Sequence, residues 1–100
     1  MASTPLNESR ITERLAKLDG WKRDNGAISK TFSLDSYVAG LAFATAVGVL
    51  CDGLDHHPDM SIGWKKVTVT FTTHDAGSQL TAKDFDAADA MEALGYPRKK

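Results

Sequence analysis

One cysteine in 100 residues leaves Cys51 nothing to pair with inside the chain. An internal disulfide is therefore excluded, and the composition suits a reducing compartment. Cys51 lies in an apolar run, where a thiol reads as a small buried hydrophobe rather than a nucleophile. Charge of one sign is also missing. A net charge of −1 and a pI near 6.3 give no electrostatic footprint for nucleic acid or an anionic membrane. The basic end Arg98-Lys99-Lys100 is short enough to read as a solubilising tail. No hydrophobic run reaches the roughly 20 residues of a membrane span; the longest, Tyr37 to Cys51, contains two glycines and reads as a helix buried in protein. Gly77 stands alone, so no glycine-rich loop cradles phosphate, and no nucleophile elbow supports a serine hydrolase. Met1-Ala-Ser-Thr-Pro5 lacks the basic and apolar blocks of a signal peptide, which gives the expectation of a cytoplasmic protein.

What is present is ordinary globular material, 42% apolar and 25% charged, enough for one small core in a single domain over 1–100, ordered from about 6 to 96. Asn7 caps a first helix over 8–19, with Leu6 and Ile11 as a hydrophobic staple, and residues 1–6 read as frayed. Ile11, Leu15 and Leu18 share its inner face, and Gly20 stops it. Trp21 anchors the core from a short extended piece, and Asn25-Gly26 signals a hairpin. Ile28, Lys30, Phe32 and Leu34 then fall on one face of a strand. Asp35 or Ser36 caps a second helix running to about Gly53. Ser61–Trp64 and Val67–Thr73 read as two strands. Lys65-Lys66 is poor turn chemistry, which leaves a bulge in one long strand as the alternative. Trp64 reads as core packing. Leu80, Thr81, Asp84 and Phe85 repeat the staple and capping box for a third helix, whose inner face carries Phe85, Ala88, Met91 and Leu94. It ends near Gly95. The order α-β-β-α-β-β-α predicts an α+β domain, a four-stranded antiparallel sheet with helices packed on one face.

Between Tyr37 and Asp52 only Thr45 is polar, so the second helix has no solvated face of ordinary width. A single sheet covers one side of it. Gly40, Ala42, Ala44, Ala46 and Gly48 let another backbone approach, which predicts a homodimer or homotetramer through residues 36–53.

All three histidines lie between Asp52 and Asp84. His56 and His57 follow the second helix, ahead of Pro58. His74 ends the fourth strand, just past Thr72 and Thr73. If the last two strands pair as a hairpin, its open end returns His74 to Asp55-His56-His57. Imidazoles give and take protons near neutral pH without special tuning. Three readings stand on these residues: structural histidines, a His/His/carboxylate metal site, or a metal-free acid–base site acting on a neutral heterocycle. Against the metal site, no His-x-His or His-x-x-x-His spacing is present, and adjacent histidines tend to point apart.

The string Asp52-x3-His56-His57-Pro58-x5-Trp64-x9-His74, followed by a Leu-Thr-x-x-Asp ending at Asp84, resembles the signature of the pterin-4a-carbinolamine dehydratase family. Leu18-Asp-Gly-Trp21, Ile28-Ser-Lys-Thr-Phe32 and the Ala-rich helix before the histidines agree with its layout, and the likeness runs over about residues 6–94. Two departures are visible. Gly77-Ser-Gln-Leu80-Thr81 makes the loop before Asp84 one residue longer, and Trp64 stands where that family more often has Tyr.

The resemblance implies a dehydratase for 4a-hydroxytetrahydrobiopterin, working in tetrahydrobiopterin recycling without metal or cofactor. It implies His56, His57 and His74 as acid–base groups. Asp55, Pro58, Thr72, Thr73 and Asp75 then meet the pterin beside them, with Asp52 and Asp84 behind. It also brings a second possibility, a non-catalytic binding, assembly or coactivator module on the same scaffold. No sequence feature marks a partner surface for that role.

Overall fold

The computed structural model describes residues 4–97. The expectations placed on Met1–Ser3 and on the basic end Arg98-Lys99-Lys100 lie outside the described residues. Elements follow in the order α1 (Glu8–Ala16), β1 (Lys22–Asp24), β2 (Ala27–Ser33), α2 (Tyr37–Gly53), β3 (Asp59–Gly63), β4 (Lys66–Phe71) and α3 (Ala82–Ala93), with a single 3-10 turn at His74–Ala76 between β4 and α3. The sheet order is β1-β2-β4-β3, with every neighbour antiparallel. This is the α+β architecture that the pattern of elements predicted.

The alternation in β2 and β4 fixes the layers. Ile28 and Phe32 face Val67, Val69 and Phe71 on the helical side, all buried, while Thr31 and Thr68 share a 2.8 Å hydroxyl contact on the other face. Lys30 falls on the apolar side because Glu92 of α3 meets it at 3.0 Å. The same carboxylate accepts from the Trp21 indole at 3.2 Å. Trp21 is the anchor expected of it, stacked on Phe71 at 5.8 Å and edge-on to Phe32 at 6.2 Å.

Several boundaries move, each for a local reason. α1 closes at Ala16 rather than 19, because Lys17 and Leu18 already bond three residues back, to Arg14 and Leu15. Leu18 stays in the core from that tightened turn. Residues 5 and 6 are held rather than frayed. Pro5 bridges Thr81, and the Leu6 N–H donates to the Leu80 carbonyl at 2.9 Å. The β3–β4 connection is a two-residue hairpin and not a bulge, since Gly63 pairs with Lys66 and Lys65 takes a left-handed φ of 59°. Trp64 therefore stands at the hairpin tip, 76% exposed, with the Lys65 ammonium over its ring. The core role read for it is wrong. Leu94 also leaves the core, lying past the last turn of α3.

Candidate active site

Two local devices aim the histidine pair. Asp55, at φ 55°, ends α2 in the left-handed conformation. Its N–H returns to the Asp52 carbonyl at 3.1 Å, and the His56 N–H returns to the Cys51 carbonyl at 3.1 Å. These two reverse bonds satisfy the last carbonyls of α2 and set the direction in which His56 leaves it. β3 then pairs with β4 from Asp59↔Thr70 onward. That pairing brings the segment beyond Phe71 back beside the end of α2.

The result is a pocket of about 280 Å³ lined by Asp55, His56, His57, Thr72, Thr73, His74, Asp75 and Lys83. The volume lies near the lower end of the roughly 300–1,000 Å³ typical of small-molecule sites. All three imidazoles are brought together, as the hairpin argument required. Pro58, Asp52 and Asp84 are not among the lining residues. Lys83, in the first turn of α3, is, and the sequence reading missed it. The Leu-Thr-x-x-Asp motif that places Asp84 also places the preceding residue at the pocket, a signal that was available.

Behind the pocket sits Asp84, fully buried at the N-terminus of α3. One carboxylate oxygen lies 2.7 Å from His56 Nε2. The other accepts from the Thr73 hydroxyl at 2.8 Å and the Thr81 N–H at 2.9 Å. Thr81 in turn touches the Thr73 hydroxyl at 2.8 Å and caps α3 through the Lys83 N–H. The capping role and the role behind His56 are therefore both filled by the same side chain. A carboxylate only accepts, so the His56 proton resides on Nε2 and Nδ1 is left for an incoming group. The ring is further held by Phe71, parallel to it within 14° at 5.9 Å.

The remaining groups differ in their ties. His57 Nε2 meets Asp52 at 2.9 Å, both side chains well exposed. The His74 ring has no hydrogen-bond partner among the described residues. Thr73 is buried and its hydroxyl is committed to Asp84, whereas the Thr72 hydroxyl donates to the Gly26 carbonyl at 2.5 Å. Cys51, buried beneath the His56 turn, has its thiol pushed up by desolvation, which suits an inert core group. Among the described residues no cluster of three or more His, Cys, Asp or Glu is arranged to hold a metal ion, and no helix is long and apolar enough to cross a membrane.

A larger cavity, about 580 Å³, opens at the other end of the sheet between Gly20, Phe32, Met91 and Tyr96. Its Lys30 and Glu92 are already paired with each other and it holds no imidazole. Proton chemistry therefore points to the smaller pocket.

Known proteins resemble this chain over most of its length. A bacterial relative from Roseiflexus sp. (strain RS-1), provisionally named a pterin-4-alpha-carbinolamine dehydratase, is 46% identical over 92 residues, covering 92% of this chain and 98% of its own. One of the same provisional name from Natronomonas pharaonis is 47% identical over 92 residues, covering 92% and 97%. Among solved structures, a transcriptional coactivator/pterin dehydratase from Brucella melitensis superposes with a TM-score of 0.83 at 30% identity, over 91% of this chain and 98% of that one. A pterin dehydratase-like protein described as a RuBisCO assembly factor in the alpha-carboxysome gives 0.59 at 25%, over 76% and 87%. The family described as Pterin 4 alpha carbinolamine dehydratase matches residues 4–94, and with the histidine pocket lying inside that span the chain belongs to it.

Proposed function

We propose that the protein dehydrates 4a-hydroxytetrahydrobiopterin to quinonoid dihydropterin and water by metal-free histidine acid–base catalysis, as a step in tetrahydrobiopterin recycling. The observation that carries this reading is the gathering of His56, His57 and His74 at one pocket, with His56 backed by a buried carboxylate.

Hydroxide is a poor leaving group, so the C4a–O bond breaks as an imidazolium delivers its proton to that oxygen. The N5 lone pair forms the new C=N bond. The N5 proton passes to a neutral imidazole, and exchange between the two rings restores the starting state. A carbinolamine is already prone to this collapse, so positioned proton transfer is the help it needs. Such help is worth about 10² to 10⁴ in rate. Asp55, Thr72 and Asp75 line the pocket where the polar edge of the pterin would meet them. The test is the decay of carbinolamine absorbance. His56→Ala and His74→Ala are expected to slow it by about 10²-fold or more. Rates unchanged from wild type in both variants would refute the reading.

The second reading, a binding or assembly module, is supported by the likeness to the RuBisCO assembly factor. It predicts dispensable histidines and a partner recovered with the His56→Ala protein as readily as with wild type.

The assembly read from the sequence, a homodimer or homotetramer through α2, belongs to the same proposal. It is supported by Val38 and Val49, each 70% exposed on the side of α2 opposite its buried residues, with Tyr37 and Leu41 also exposed on the helix.

A further inference from the structure

We infer that Gly26, which does not line the pocket, is a positioning residue for His74; the kinetic side of this inference rests on the dehydratase reading. The β1–β2 turn carries its left-handed residue at Asn25, φ 54°, and Gly26 is not among the positive-φ glycines. An L-residue could adopt the Gly26 backbone, so conformation does not explain the glycine. Space does. A Cβ built there falls 1.9 Å from the Ser78 carbonyl oxygen, 3.0 Å from its carbon and 3.3 Å from Gln79 Cα, all backbone atoms that no rotamer change can move aside. From the other side the Thr72 hydroxyl clamps the Gly26 carbonyl at 2.5 Å.

Ser78 and Gln79 close the loop that presents His74. The Thr73 N–H donates to the Gln79 carbonyl at 3.2 Å, the Ser78 N–H to the Thr73 carbonyl at 3.1 Å, and the Gly77 N–H to the His74 carbonyl at 3.0 Å. The turn at 25–26 is thus the floor on which a short, self-closed loop rests. No hydrogen bond within the described chain holds the His74 ring, so its position follows the backbone of the loop that carries it. The His56 ring has its own clamps, Asp84 and Phe71. A side chain at position 26 must lift the loop, and His74 is the group that moves with it.

The test has two arms. In the kinetic arm, Gly26→Ala is compared with wild type, and the same change is made in the His74→Ala background. A loss of about tenfold to a hundredfold in kcat in the wild-type background, the scale of an ångström-sized misplacement, is expected to fall below about twofold once His74 is gone. An equal loss in both backgrounds overturns the inference.

In the spectroscopic arm, imidazole ring resonances are recorded by proton–nitrogen correlation on the ligand-free protein. Gly26→Ala is expected to shift the His74 signals and leave those of His57 in place. Thr72→Val, which removes the clamp without adding bulk, provides the same readout should Gly26→Ala fail to fold, with Thr72→Ser restoring the wild-type spectrum. His74 signals unmoved in the folded variants overturn the inference. An inactive wild type sinks the dehydratase reading instead, and the spectroscopic arm still decides the role of Gly26.

Discussion

Asp84 serves a helix end and an imidazole with one carboxylate, and the two services can be separated by changing a single atom. In Asp84→Asn the amide oxygen can still accept from Thr73 and from the Thr81 N–H, so the cap survives in outline. The NH₂ must then face His56 Nε2, which becomes an acceptor, and the ring proton moves to Nδ1. A ring locked in the wrong tautomer lowers kcat by roughly 10² to 10⁴, as in catalytic triads whose aspartate is replaced by asparagine. Stability is expected to drop by about 1–3 kcal/mol for the disturbed buried polar groups. Steady-state kinetics beside urea unfolding separates the two effects, and a stability loss with undiminished kcat would leave Asp84 as a cap only. Asp55 gives the opposite trade. It occupies a left-handed conformation in which glycine is unstrained, so Asp55→Gly is expected to raise the melting temperature by a few degrees, about 1 kcal/mol or less. If its carboxylate meets the substrate, KM rises in the same variant, and a thermal melt with one Michaelis curve reads both.

Between elements, the ties are polar and can be titrated. Glu8 at the start of α1 meets Arg23 of β1 through both carboxylate oxygens, and that guanidinium holds its pKa below the ordinary 4.5. A depressed carboxylate contributes stability above its unfolded value and loses it as pH falls through the folded one. The stability difference between wild type and Glu8→Gln is therefore expected to be present at pH 7 and to vanish as pH drops well below 4.5, read from urea midpoints across that range. At the far end of the sheet Glu92 accepts from both Lys30 and Trp21, so Glu92→Ala, which strands two donors, should cost about 1–3 kcal/mol in the same assay. These elements also show how far the sequence could be read. Apolar alternation in β2 and β4, the Asn7 cap and the Thr81–Asp84 box are local signals, and local physics placed them correctly. The β3–β4 hairpin was ambiguous because the junction read from the sequence, Lys65-Lys66, is poor turn chemistry; the turn falls one residue earlier, at Trp64-Lys65, where register with β4 forces Lys65 left-handed. The histidine pocket was legible through one long-range assumption, that β3 and β4 pair. Lys83 was within reach as the neighbour of Asp84 in the same motif. Gly26 was not, since its role depends on which surfaces touch rather than on any neighbour in the chain.

For the whole molecule the unresolved balance is on α2. Gly40, Phe43, Ala44, Val47 and Cys51 face inward. The opposite stripe, Val38, Ala42, Thr45 and Val49, offers water almost nothing, and the Thr45 hydroxyl turns back to the Leu41 carbonyl at 3.0 Å. Met60 and Ile62 on the edge strand β3 add exposed apolar area next to it. We propose that this exposed apolar surface is an association site, the usual meaning of such surface on a small domain. A second copy of the same chain satisfies it with a self-complementary contact and no new chemistry. Wild type is therefore expected to run as a dimer or tetramer by light scattering at micromolar concentration, and Val49→Glu, which buries a charge in that contact, to run as a monomer with an unchanged far-ultraviolet spectrum. All three imidazoles and their carboxylate come from one protomer, so the dissociated variant should keep its rate per site within about threefold, well inside the roughly tenfold that 1.4 kcal/mol of barrier would cost. A monomeric wild type would remove the assembly, while a monomeric Val49→Glu with its activity abolished would show that the neighbouring copy completes the pocket.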